Sequence, residues 1–230
     1  MANSHLTVLE SSSRKYPDAK AFLTPKLDST GRVEEWRPIS YTQFHREVEL
    51  FARHWRRVLG NSGIPTRSVI GMWYACHFEA CSYLSSMYYR LIGSTYLDVL
   101  HLYAISRAGY VPQLFSIRLL NPVAIYELLL KANAAALIYD SSFESVLGDC
   151  HVPRHRVLKS TLVEDVPEAL PSIWDSQEDD LALIFHTSGS TSGSPKLVPQ
   201  SYRWLTSVVV KSHYISMPEN PRRQDVTVWM

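Results

Sequence analysis

The sequence predicts an α/β fold: a mostly parallel sheet flanked by helices. Two observations carry this expectation. Short apolar runs of strand length alternate along the chain with longer segments of helical period, which is the pattern of parallel strands joined by helical crossovers. The composition is 46% hydrophobic and 20% charged over 230 residues, enough apolar side chains for a sizeable core.

Taken in order, Thr42–Leu59 reads as an amphipathic helix, because Phe44, Val48, Phe51, Trp55 and Leu59 recur at three and four residues. Gly60-Asn61-Ser62-Gly63 stops it. Ser68–Trp73 is a buried strand. Thr95–Arg107 is a second helix with Thr95 as N-cap, Asp98 three residues on and an apolar stripe of Leu97, Leu100, Tyr103 and Ala104; Gly109 ends it. Strand-like runs follow at Tyr110–Phe115, Ala135–Tyr139 and Arg156–Leu158. Asn121-Pro122 opens a helix through Leu130, with proline in the first turn. The more polar Val163–Asp180 reads as a surface connection. Leu181–Phe185 is a further buried strand, Ser201–Ser212 a helix, and Asp225–Met230 is strand-like. No domain boundary stands out.

Several function classes are excluded early. A net charge of +1 gives no field for nucleic acid or an anionic membrane. No apolar run reaches the roughly 18 residues of a membrane span, and the N-terminus lacks a signal-peptide layout. Three cysteines, Cys76, Cys81 and Cys150, are too few for a disulfide framework, so a cytoplasmic setting is the expectation.

The chemistry concentrates in Phe185–Val198, FHTSGSTSGSPKLV. A loop leaving a buried parallel strand sits where open α/β sheets bind ligands. Gly189 and Gly193 let the backbone approach a ligand, and successive N–H groups make a concave anion site. The hydroxyls of Thr187, Ser188, Ser190, Thr191, Ser192 and Ser194 add donors, and Lys196 adds a point charge suited to phosphate. Such parts suit a triphosphate. A Ser/Gly loop alone more often binds nothing; the preceding strand and the Pro195-Lys196 ending reverse that balance. The Walker pattern fails at Ser194-Pro195-Lys196-Leu197, and the hydrolase elbow fails because Thr191 holds the nucleophile position. His186, just before the loop, is either a nucleotide or acyl neighbour or a strand-end histidine satisfied by backbone.

The stretch resembles the phosphate loop of the adenylate-forming superfamily (acyl-CoA synthetases, luciferases, nonribosomal peptide synthetase adenylation domains), Thr-Ser-Gly-Ser-Thr-Gly-x-Pro-Lys. It matches at Thr187, Ser188, Gly189, Ser190, Thr191, Gly193, Pro195 and Lys196, with Ser192 as one extra residue. Ile39-Ser40-Tyr41-Thr42-Gln43-Phe44 resembles the family's Leu-Thr-Tyr-x-Glu-Leu. Ser106-Arg107-Ala108-Gly109-Tyr110-Val111-Pro112 resembles its Lys-Ala-Gly-x-x-Val-Pro. The wording is most similar to fungal nonribosomal-peptide-synthetase-like carboxylic acid reductases.

The resemblance implies ATP-dependent activation of a carboxylic acid to an acyl-adenylate with release of pyrophosphate, then transfer to a thiol. It implies Mg²⁺, and a phosphopantetheine on a carrier domain followed by a reductase domain. His186, Thr187, Ser188, Gly189, Ser190, Thr191, Ser192, Gly193 and Lys196 would bind the nucleotide; no catalytic or metal-binding residue is assigned. The family's later motifs are expected beyond Met230, so residues 1–230 are read as an incomplete N-terminal subdomain, a partial adenylation domain expected to be inactive alone. The sheet edge left open predicts poor solubility. Alternatives are a non-catalytic nucleotide-binding remnant or another phosphate-loop NTPase.

Residues 74–90 interrupt the family pattern. Three readings stand: a surface helix, a zinc site at Cys76, His77 and Cys81 that lacks a fourth ligand at usual spacing, or a retained intron. Cys150, His151 and His155 imitate a metal site but read as surface loop.

Overall fold

The computed structural model describes residues 4–30, 32–74, 96–116, 119–159, 163–187 and 195–215, with only the backbone of 213–215. Residues 75–90 of the atypical segment, Thr95, the loop residues Ser188–Ser194 and the strand expected at Asp225–Met230 lie outside these.

The chain opens with α1, His5–Lys15, which the hydrophobic pattern had not suggested. Its start is a reciprocal cap. Thr7 N donates to Ser4 Oγ at 3.3 Å, and Ser4 N to Thr7 Oγ1 at 2.9 Å, satisfying donors that a helix start leaves open. β1, Lys20–Leu27, and β2, Val33–Ser40, then form an antiparallel pair. α2, Tyr41–Asn61, follows without a break: Ser40 caps it, accepting from Gln43 N at 3.1 Å. The predicted stripe Phe44, Val48, Phe51, Trp55 and Leu59 is buried throughout.

The main sheet is built from β3 (Val69–Trp73), β4 (Val111–Leu114), β5 (Ala134–Tyr139), β6 (Arg154–Arg156), β7 (Leu181–His186) and β8 (Leu197–Ser201). Their order is β6-β5-β3-β4-β7-β8. Every pairing is parallel except β7 with β8. The fold class predicted from alternation is therefore observed. α3, Tyr96–Arg107, connects β3's side of the chain to β4, α4, Pro122–Lys131, links β4 to β5, and α5, Tyr202–Ile215, follows β8.

Strand periodicity explains the layers. Ile70, Met72, Ala136 and Ile138 pack with α2 and α3. Val69, Trp73, Leu137 and Tyr139 pack with Ile125, Leu128 and Leu129 of α4. A small third cluster joins Ala182 and Leu183 to Leu205 of α5. β3 runs fully buried between the two main layers. Gly71 at its centre is fixed by close approach: a Cβ there would lie 2.5 Å from Leu129 Cδ2, so the Leu129 side chain of α4 occupies the space and would have to move.

One strand and the burial pattern of one helix depart from expectation. β6 is Arg154–Arg156 rather than Arg156–Leu158; the apolar residues after it, such as Val157, plug the core beyond the paired segment. α3 buries Leu100, Ala104 and Ile105, and also His101 and Ser106, while Leu97 and Tyr103 are half-buried. Its buried surface is broad because α2 and the sheet both meet it.

Candidate nucleotide-binding site

β4 and β7 are neighbours whose onward connections diverge. The chain leaves β4 toward β5 on one side and leaves β7 toward β8 on the other. The carboxyl ends of such a strand pair form the crevice where open α/β sheets receive ligands. Residues 186–187 and 195–196, the described flanks of the glycine–serine loop, stand at that crevice.

The flanks are closed on each other. β7 and β8 pair from Leu181↔Ser201 to His186↔Leu197. Beyond the ladder, Thr187 N donates to Lys196 O at 2.9 Å and Lys196 N donates to Thr187 Oγ1 at 3.2 Å. Residues 188–195 are thus bracketed by one residue pair. Thr187 and Lys196 are both exposed, as groups meant for a soluble anion must be. Thr187 accepts through its hydroxyl, whose own hydrogen stays available for donation.

His186 lies half-buried at the end of β7. Ser116 N donates to its Nε2 at 3.0 Å, and its Nδ1 is 3.1 Å from Thr187 O. The ring also faces Phe115, with centroids 6.0 Å apart. Of the two sequence readings, backbone satisfaction is what the geometry displays. Ser116, two residues past the end of β4, was not foreseen, because nothing in one sequence tells that β4 and β7 are neighbours.

Ser188, Gly189, Ser190, Thr191, Ser192 and Gly193 of the expected cradle fall outside the described residues, as do Cys76, His77 and Cys81. Among the described residues no group of three or more His, Cys, Asp or Glu side chains could hold a metal. The lookalike at Cys150, His151 and His155 is dispersed: Cys150 packs on the α4 layer, His151 meets the Tyr126 ring, and His155 meets Trp55. No helix of the described residues is long and apolar enough to cross a membrane.

Comparisons with known proteins bear on the fold. No family model matches the chain. It is 29% identical over 214 residues to the AMP-binding domain-containing enzyme iboA of Amanita muscaria (strain Koide BX008), covering 90% of this chain and 38% of that enzyme. Among solved structures it superposes on the fatty acyl-adenylate ligase from L. pneumophila in complex with acyl adenylate and pyrophosphate. That match has TM-score 0.65 and 13% identity, covering 94% of this chain and 34% of that one. It also superposes on the nonribosomal peptide synthetase FmoA3 in its AMPPNP-bound form, with TM-score 0.61 and 16% identity, covering 93% of this chain and 19% of that one.

The chain is similar in sequence to an AMP-binding domain-containing enzyme and shares its fold with adenylate-forming enzymes. It spans 38% of the curated relative's length. In this chain the two weaker family-like segments have plain structural duties. Ser40 is the cap of α2. Gly109 turns the chain from α3 into β4 at φ +88°, and a Cβ there would meet Pro171 Cγ at 2.9 Å, so both its dihedral and its contact call for glycine.

Proposed function

We propose that residues 187–196 grip the β- and γ-phosphates of ATP, in an enzyme that activates a carboxylic acid as its acyl-adenylate. The carboxylate oxygen bonds to the α-phosphorus, the bond from that phosphorus to the bridging oxygen breaks, and pyrophosphate leaves. The chain's own residues would bind and orient. Thr187, Ser188, Ser190 and Thr191 donate to phosphate oxygens, Gly189 and Gly193 admit the ligand close to the backbone, and Lys196 offsets charge. Holding the leaving group while the α-phosphorus stays open is catalysis by positioning and charge stabilisation. MgATP is the substrate form in this reading, and the acyl group passes next to a thiol, a phosphopantetheine on a carrier domain.

The observation that carries the proposal is the Thr187–Lys196 closure beside the end of β4. It is supported by the fold shared with a ligase captured with acyl adenylate and pyrophosphate. Isothermal titration of the 230-residue chain with MgATP tests it. Binding is expected, weakened about tenfold by Lys196→Ala, in line with loss of one charge-assisted contact. Equal affinity for both proteins would remove Lys196 from the site. Acid-dependent ATP–pyrophosphate exchange is not expected from these residues alone, which span 38% of the relative. Release of orthophosphate instead of pyrophosphate would favour an NTPase of another kind.

A further inference from the structure

We propose that His186 is a positioning residue: a neutral imidazole, protonated on Nδ1, that ties the carboxyl ends of β4 and β7 together and fixes the direction in which the backbone enters the glycine–serine loop. The inference rests on the reading of that loop as a phosphate grip.

Two contacts independently demand the same tautomer. The Ser116 amide can only donate, so the Nε2 it meets at 3.0 Å must present a lone pair. The Thr187 carbonyl can only accept, so the Nδ1 at 3.1 Å from it must carry the hydrogen. One ring nitrogen therefore serves the second residue past β4 and the other the residue after β7. The bridge falls where the backbone provides little. β4 and β7 are registered at Gln113↔Ile184, β4 stops at Leu114 and β7 at His186. Past those ends the imidazole carries the connection, with the Phe115 ring tilted beside it.

The Thr187 carbonyl that His186 holds belongs to the residue whose amide and hydroxyl already hold Lys196. The ring thus fixes Thr187 from the β4 side, and β8 fixes it from the other. A loop whose donors must converge on one anion gains from a fixed first residue, because each donor's direction is then set before the ligand arrives.

The test uses the 230-residue chain labelled with ¹⁵N-histidine, with H186Q and H186F. Glutamine can keep an acceptor toward the Ser116 amide, whereas phenylalanine removes both bonds at similar volume. The imidazole resonances missing from H186Q assign His186. At pH 7 its Nδ1 is expected protonated and its Nε2 unprotonated; the opposite tautomer, or an imidazolium, overturns the clamp. MgATP affinity is expected to fall about tenfold in H186F and to stay within about threefold in H186Q. S40A serves as a destabilised control remote from the site and keeps full affinity. H186F binding as tightly as the parent overturns the positioning role. If the parent chain does not bind MgATP, the phosphate-grip reading falls. The clamp is then judged by the tautomer and by hydrogen exchange of the Ser116 amide, which a clamp slows in the parent relative to H186F and which, if equal in both, overturns it.

Discussion

At the scale of single residues, histidine is where the sequence says least and the fold decides most. His186 admitted two readings in the sequence; the adjacency of β4 and β7 supplies the Ser116 amide that meets its Nε2. His101 gave no sequence signal, yet it is wholly buried. Trp55 Nε1 donates to its Nδ1 at 3.0 Å, and its Nε2 lies 3.0 Å from Leu158 O, so the ring is neutral with the hydrogen on Nε2. Burial pushes its pKa down from 6.5 to about 4. The unfolded chain takes up this proton near pH 6.5 while the folded chain resists until about 4, so acid favours unfolding. The contribution is complete above pH 6.5 and is lost as pH falls through that window, by about 3 kcal/mol in full. Urea unfolding at pH 7 and pH 5 is expected to show a loss of about 2 kcal/mol attributable to this group, as the difference between the parent and H101Q. A pH dependence unchanged in H101Q would contradict it.

At the scale of elements, the legible pieces were those with strong periodicity and an apolar destination. α2 and β3 were readable because their buried positions are nearly all hydrophobic. α1 was not, since only Leu6, Thr7 and Leu9 of its 11 residues are buried and its start is set by a short-range cap. The β1–β2 pair was missed for a similar reason: apart from Ile39 its positions are exposed or half-buried, with no alternation. β8 escaped because it contains Pro199 and lies at a sheet edge, where proline is tolerated. Of the candidate site, the chemistry of the loop was legible from its glycines, hydroxyls and Lys196; the closure by Thr187 depends on β8 and was not. The cap at Ser40 illustrates what a family-like motif does locally. Ser40→Ala removes the acceptor for Gln43 N and is expected to cost about 1 kcal/mol in chemical unfolding, while Ser40→Asp, which keeps an acceptor, stays within a few tenths. Equal losses for both would show that the hydroxyl, and not the cap, matters.

At the scale of the whole molecule, the connection from β6 to β7 must return across the sheet, because β5, β3 and β4 stand between those strands. Residues 163–180 make that crossing without regular structure, so side chains of the helices have to hold it. Arg53 Nη2 lies 2.9 Å from Asp165 Oδ1, Val166 is buried, and Pro171 packs on Gly109. The central fastener is Arg107. Its Nε and Nη2 donate to the two oxygens of Glu49 at 2.5 and 3.3 Å, and its Nη1 donates to Pro171 O at 2.6 Å. Both side chains are mostly shielded, at 17% and 23% exposure. Arg107→Ala would leave the Glu49 carboxylate without its bidentate partner and free the Pro171 carbonyl, an expected loss of about 2–3 kcal/mol. Lysine cannot reproduce a planar fork that reaches three acceptors, so Arg107→Lys is expected to recover only part of it. Because the crossing delivers the chain to β7, the looser strap should be visible as faster limited proteolysis within 163–180 under conditions where α2 stays intact. Cleavage there at the parent rate in Arg107→Ala would mean that the crossing is held by its apolar contacts alone.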